Sequence, residues 1–172
     1  TIFSSIMMLL FSLSSTRDVY ASIMWLMGSL SAPDRLFVMI LGYGVLPLSI
    51  ILNIFSKDLN ILSLGDDKAM YLGLNAKTLR IILFAITSII TGACVAVAGV
   101  ISFVGLIVPH IMRSIIGAEH RLLMPSSMLA GAIMLLVYDP IARLIISPME
   151  LPVGVITGIC GGMFFLVLLF RK

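Results

Sequence analysis

Charged residues are scarce in this sequence, where 8 acidic and 11 basic side chains make up 11% of 172 residues. Soluble domains contain about 25% charged residues, whereas 60% of this chain is hydrophobic and its mean hydropathy is +1.20. The composition excludes a soluble globular protein and predicts a polytopic membrane protein. The small net charge of +3 indicates no nucleic-acid partner, and the chain has no room for a soluble catalytic domain.

Cysteine and histidine are also rare. Cys94 and Cys160 both lie in apolar runs, which predicts small buried residues and neither a disulfide nor a metal site. His110 and His120 are too few to form a metal site, which needs more ligands at helical spacing. The sequence has no nucleotide-binding glycine loop, HExxH motif or nucleophile elbow. We therefore predict that this chain has no catalytic residue and binds no metal or cofactor.

Long apolar runs are abundant, and about 20 such residues are needed for a helix to cross a bilayer. The pattern predicts spans at residues 36–55, 81–98, 99–116, 125–146 and 153–170. The third of these is expected to begin as a helix at Gly99 and to tolerate Pro109, because neighbouring helices and water satisfy the freed carbonyl. Turns are expected at residues 31–35 and 147–152.

The N-terminal residues are apolar but too short to cross. Residues 1–13 start at Thr1 without a signal-peptide pattern, so we expect a truncated span and missing upstream sequence. Thr16 is a candidate helix cap before a short amphipathic helix at residues 19–30. Its aromatic side chains, Tyr20 and Trp25, suit a membrane interface.

A polar segment at residues 57–80 interrupts the spans. Gly65 and Gly73 divide it into two short helical pieces, in which leucines alternate with charged side chains. Two interpretations stay open: a structured cytoplasmic loop that presents a surface to a partner, or an amphipathic connector that rests on its own bundle.

The basic residues favour one orientation. If the C-terminus is cytoplasmic, eight basic residues lie inside and three outside, which satisfies the positive-inside rule. The inner residues are Lys57, Lys68, Lys77, Arg80, Arg113, Arg121, Arg171 and Lys172; the outer ones are Arg17, Arg35 and Arg143. Residues 119–121 are then expected to form a solvated cytoplasmic turn.

Two features of the last spans carry alternative interpretations. Charges inside a membrane are costly and suggest function, and Asp139 and Arg143 are spaced to meet on one helix face. We expect Asp139 to be structural and Arg143 to face an acidic partner. Gly154 and Gly158 form a small-xxx-small face, which fits close helix packing or the smooth wall of a pathway.

Four stretches together resemble the permease subunits of ABC importers for iron-siderophores, haem and vitamin B12. They are GVISFVGLIVPHIMRSIIGAEHRLLMPSSMLAGA at 99–132, LSLGDDKAMYLGL at 62–74, D-x-x-A-R at 139–143 and ELPVGVITGICGG at 150–162. The resemblance implies an all-α membrane bundle, with residues 1–172 as one permease domain that corresponds to the C-terminal six of ten helices. Two departures are Met163, where proline is common, and Pro140.

The resemblance also implies roles for individual residues. Those that match the coupling helices of the family, which fit a cleft of the ATPase subunit, are Leu62, Leu64, Gly65, Asp66, Asp67, Lys68, Ala69, Leu72, Gly73 and Leu74. Arg143 matches an outer-face arginine that pairs with a glutamate of the substrate-binding protein. Residues expected beside the translocation pathway are Gly154, Thr157, Gly158 and Gly161.

The function implied is ATP-driven import by alternating access in a bacterial or archaeal cytoplasmic (inner) membrane. The expected partners are ABC ATPase subunits that hold ATP and Mg, a periplasmic or lipoprotein binding protein, a second permease copy or paralogue, and the lipid bilayer. The main alternative is an ion-gradient-driven secondary transporter, which usually places ionisable residues or broken helices near the midplane. An intramembrane enzyme is less consistent with the sequence because no catalytic constellation is present.

Overall fold

The computed structural model describes residues 2–30, 34–145 and 151–170. These residues form nine α-helices, which confirms the predicted all-α class. In chain order they are α1 (Ile2–Leu13), α2 (Thr16–Leu26), α3 (Arg35–Ile54), α4 (Ser56–Leu62), α5 (Asp66–Tyr71), α6 (Ala76–Ala98), α7 (Val104–Ile116), α8 (His120–Ile145) and α9 (Val153–Phe170). The turns predicted at residues 31–35 and 147–152 lie mostly outside the described residues.

Four helices, α3, α6, α8 and α9, are long and apolar enough to cross a membrane. The other two predicted spans contain shorter apolar helices, α1 with 12 residues and α7 with 13. At 1.5 Å per residue α7 is about 20 Å long, against a hydrocarbon core of about 30 Å. The chain is therefore a multi-pass membrane bundle with four full-length spans among the described residues.

The link between α6 and α7 differs from the prediction. We expected a helix from Gly99, but α7 begins at Val104. Gly99, the residue after α6, has a φ of +71°, and Phe103, the residue before α7, has a φ of +67°. Such angles favour glycine and interrupt a right-handed helix. Residues 99–103 are therefore a non-helical connection whose backbone remains available for contacts with other elements.

Three helices begin earlier than expected, two of them because their capping residues lie upstream. Ser15, not Thr16, caps α2, since its hydroxyl accepts a hydrogen bond from the Asp18 backbone N–H at 3.3 Å. Asn75 caps α6 by accepting a hydrogen bond from the Thr78 N–H at 3.1 Å, so α6 begins at Ala76, five residues before the predicted start of that span. Helix α8 begins at His120, where a distant residue supplies the hydrogen bond described below.

The packed interior is small and follows helix pairs. Helix α7 packs on α8, α3 on α6, α4 on α8, and α8 on α9. Buried apolar side chains are Leu52, Ala69, Leu79, Ile107, Val108, Leu123, Ala142 and Val153, while most large apolar side chains of the spans face outward, as expected for helices in lipid. The prediction that both thiols are buried is wrong for Cys94, which lies exposed on α6; Cys160 is half-buried, and both are free.

Candidate functional site

The predicted division of residues 57–80 into two short helices is confirmed. Helices α4 and α5 are separated by Gly65, with a φ of +105°, and α5 is followed by Gly73, with a φ of +79°. Neither glycine has a neighbour where a Cβ would be, so each is required for its backbone angle and not for close packing. Residues 56–74, hereafter the α4–α5 segment, therefore form a structured surface and not an open loop.

The C-terminal end of α5 exposes three consecutive apolar side chains, the last of them at the cap residue. Met70 is 78% exposed, Tyr71 91% and Leu72 63%, although the segment is too polar to lie in the bilayer. Exposed apolar side chains next to one another are a common feature of protein–protein contact surfaces. Sequence reasoning missed Met70 and Tyr71; the signal available was a large flexible and an aromatic side chain at consecutive positions of a short helix.

The predicted coupling residues differ in their accessibility. Ala69 is fully buried, and Leu62 and Leu74 are half-buried, so these three serve mainly to pack the segment. The seven that stay exposed are Leu64, Gly65, Asp66, Asp67, Lys68, Leu72 and Gly73. Several of the exposed residues border a shallow open groove of about 480 Å³ between α5 and the start of α6.

A bidentate ion pair ties α5 to α6. Arg80 donates from Nη1 to Oδ2 of Asp66 at 2.8 Å and from Nη2 to Oδ1 at 2.6 Å. Both side chains are exposed, so the pair adds little to global stability, but its two parallel bonds fix an orientation. Asp66 belongs to the first turn of α5 and Arg80 to the second turn of α6.

A second polar contact ties α4 to α8. The side-chain oxygen of Asn60 accepts a hydrogen bond from the His120 backbone N–H at 2.9 Å and lies 2.8 Å from Nδ1 of the same residue. His120 is half-buried, so the expectation of a solvated turn at residues 119–121 is wrong at this position. The hydrogen bond satisfies a donor that the start of α8 leaves without a partner in its own helix. The α4–α5 segment therefore lies at the end of the bundle where α6 and α8 begin.

Three glycines meet at the opposite end, where α6 ends and α9 begins. A Cβ on Gly28 would overlap the Val100 carbonyl, one on Gly99 the Trp25 carbonyl, and one on Gly154 the Met27 carbonyl. Two hydrogen bonds join the same segments, from Ser29 N to Ala98 O at 2.9 Å and from Gly154 N to Gly28 O at 3.3 Å. This glycine junction (Gly28, Gly99 and Gly154) joins α2, the 99–103 link and α9 backbone to backbone.

The predicted pathway residues of α9 occupy different environments. Thr157 is fully buried, and its hydroxyl donates to the Gly154 carbonyl at 3.1 Å. Gly161 is buried where a Cβ would overlap the Phe103 side chain, whereas Gly158 is half-buried with open space around it. Close packing therefore accounts for Gly154 and Gly161. Their place beside a pathway, like that of Thr157 and Gly158, stays a prediction.

The predicted contact between Asp139 and Arg143 is confirmed. Arg143 donates from Nε to Oδ2 at 3.0 Å and from Nη2 to Oδ1 at 3.2 Å. The Arg143 side chain remains 39% exposed, and a guanidinium has five donors, so part of it is available to another molecule. Helix α8 continues through Pro140 to Ile145, and this proline does not break the helix that carries the pair.

The fold and these surfaces define a multi-pass membrane protein with one structured polar segment at one end of its spans. The chain belongs to the FecCD transport family, which residues 1–171 match. It is 46% identical to the Fe(3+) dicitrate transport system permease protein FecD of Escherichia coli (strain K12), over 92% of this chain and 50% of that protein. The Hemin transport system permease protein HmuU of Yersinia pestis is 42% identical, over 87% of this chain and 45% of the relative.

Two further comparisons also match this chain to transport proteins. The Vitamin B12 import system permease protein BtuC of Klebsiella pneumoniae is 40% identical over 92% of this chain and 48% of its own length. A solved inward-facing structure of a metal-chelate type ABC transporter superposes with a TM-score of 0.88 at 34% identity, covering 99% of this chain and 56% of the other. The chain thus spans about half the length of the curated relatives that it matches.

Proposed function

We propose that this chain is part of the permease subunit of an ATP-driven ABC importer. The observation that carries the proposal is the α4–α5 segment, in which Met70, Tyr71 and Leu72 are exposed at the C-terminal end of a short helix outside the spans. Membership of the FecCD transport family and the permease relatives support it. The permease performs no chemistry, and ATP and Mg bind to a separate ATPase subunit.

The cargo that we propose is a metal chelate. The relatives are named for haemin, ferric dicitrate and vitamin B12, which are all large complexes that hold a metal ion inside an organic ligand. We place the cargo beside Gly158 of α9, where no atom lies close to the position that a Cβ would occupy. The wall of the proposed translocation pathway would also include three residues of α9 whose side packs against the bundle: Gly154, Thr157 and Gly161.

We place the C-terminus and the α4–α5 segment in the cytoplasm of a bacterial or archaeal cell. The charge distribution supports this, with eight basic residues inside and three outside. The Asn60–His120 contact supports the same grouping, because it brings α4 to the start of α8. The glycine junction and Arg143 would then lie on the outer side of the cytoplasmic membrane.

In this arrangement the ATPase contacts the exposed residues of α5. Closure of two ATPase subunits then moves the permease between outward-open and inward-open states. Arg143 lies at the outer end of α8 with free donors, where it would pair with an acidic side chain of the binding protein. A second permease copy or paralogue would complete the pathway, as expected for a chain with few buried residues.

The full-length permease, purified in detergent from its host, tests this function. We expect an ATPase subunit to co-purify, and proteoliposomes that contain both subunits and the binding protein to take up haemin, ferric citrate or cyanocobalamin only when ATP is present. Uptake that follows an ion gradient without ATP, and purification without an ATPase, would instead identify a secondary transporter.

A further inference from the structure

The α4–α5 segment is attached to the spans by two separate polar contacts. Asn60 on α4 binds the start of α8, and Asp66 on α5 binds Arg80 on α6. Between them lies Gly65, with a φ of +105° and no close neighbour. The two halves of the segment are therefore anchored to different spans, and the residue between them is a glycine, which has more backbone freedom than residues with a side chain.

We propose that Arg80 is a positioning residue which, through Asp66, makes α5 move with α6 and not with α4. This inference rests on the proposed function, in which α5 receives the motion of an ATPase. Helix α6 is 23 residues long and continuous, so a displacement of its first turns is carried along the whole span. The ion pair is the charged contact that links α5 to that span within the described chain.

The geometry favours orientation over stability as the role of this pair. An exposed ion pair contributes little to the stability of a folded protein, yet this one makes two parallel hydrogen bonds, which restrict rotation as well as distance. The other contacts of α5 with the bundle include the fully buried Ala69, whose methyl group limits separation but not rotation. Loss of the pair should therefore free the orientation of α5 while the helix itself remains folded.

The first test measures the position of α5 in the full-length permease without its ATPase. Spin labels are placed at Met70 on α5 and at Ile89 on α6, which are both exposed, after Cys94, Cys160 and any upstream cysteines are changed to serine. We expect one narrow distance distribution in the parent and a broad one in Arg80→Gln. The doubly changed Asp66→Arg/Arg80→Asp permease should regain a narrow distribution.

The matched control is Arg113→Gln, because Arg113 is exposed at the end of α7 and has no ion pair among the described residues. The distance distribution measured in Arg113→Gln should be the same as in the parent. Equal distributions in Arg80→Gln and the parent would overturn the proposal. Because no ATPase is present, this result does not depend on whether the proposed function is correct.

The second test measures coupling in the complete complex, as uptake of haemin, ferric citrate or cyanocobalamin per ATP hydrolysed. We expect Arg80→Gln to retain its ATPase but to lose roughly fivefold in this ratio, which is the upper limit for an exposed pair. Arg80→Lys should recover only part of the uptake per ATP hydrolysed, since an ammonium group cannot make two parallel hydrogen bonds. Loss of the ATPase from Arg80→Gln would assign Arg80 to the docking surface and contradict the positioning role.

Discussion

The side-chain oxygen of Asn60 serves as the N-terminal hydrogen-bond acceptor of a helix that begins 60 residues later, at His120. We predict that Asn60→Ala destabilises the permease by roughly 0.5–2 kcal/mol, the usual effect of removing a helix cap. Thermal unfolding in detergent would measure this. Ser63→Ala is the matched control, because the Ser63 hydroxyl donates to the nearby Asn60 carbonyl at an exposed position. Equal losses in the two variants would contradict a capping role.

The glycine junction predicts opposite effects for two glycines of one helix. Gly154→Ala would place a methyl group against the Met27 carbonyl, whereas Gly158→Ala enters open space. We expect the first to destabilise the protein by about 1–3 kcal/mol, as overpacking does, and the second to be neutral or stabilising by up to about 1 kcal/mol. Denaturation in mixed detergent and SDS would compare them. A tolerated Gly154→Ala would show that the three backbones do not meet closely.

The exposed face of α5 predicts a loss of ATPase binding in Tyr71→Ala. Buried aromatic anchors in interfaces often contribute 2 kcal/mol or more, roughly a 30-fold change in affinity. Co-purification and titration of the ATPase would measure it. Tyr43→Ala is the matched control, since Tyr43 is also highly exposed but lies on the span α3. Unchanged binding in Tyr71→Ala would remove α5 from the docking surface.

Arg143 predicts a specific defect on the proposed outer side. Arg143→Glu should weaken the affinity of the permease for the binding protein by about tenfold or more, because an acidic partner would then face a like charge. The ATPase should still co-purify with this variant. Arg17→Glu reverses a charge on the same proposed side without affecting this pair and should bind as the parent does. Surface plasmon resonance with the permease in nanodiscs would distinguish them. Equal affinity of Arg143→Glu and the parent would leave only the structural contact with Asp139.

The sequence was sufficient for the helical class, for four full spans and for the Asp139–Arg143 contact, because each depends on residues close together in the chain. The division of the α4–α5 segment by Gly65 and Gly73 was visible for the same reason. The Asn60–His120 and Asp66–Arg80 contacts were not, since their partners are separated by turns whose direction depends on packing. The start of α7 was also missed: the link at residues 99–103 is set by its contacts with α2 and α9, which local composition does not reveal.

Met70 and Tyr71 were overlooked for a different reason. In a chain that is 60% hydrophobic, two more apolar residues carry little information until their exposure is known. The coupling residues taken from the family resemblance surround them on both sides, so the position of the segment was right although its most exposed side chains were absent from the prediction.

The glycine junction has a consequence for the order in which the chain folds. Gly28 is synthesised before Gly154, which belongs to the last described helix. The backbone contacts between them form only after every intervening span has been inserted, so this part of the bundle is completed late in biogenesis. Until then the Gly28 carbonyl lacks its hydrogen-bond donor, the Gly154 backbone N–H, and this part of the bundle stays incomplete in a nascent chain halted before α9.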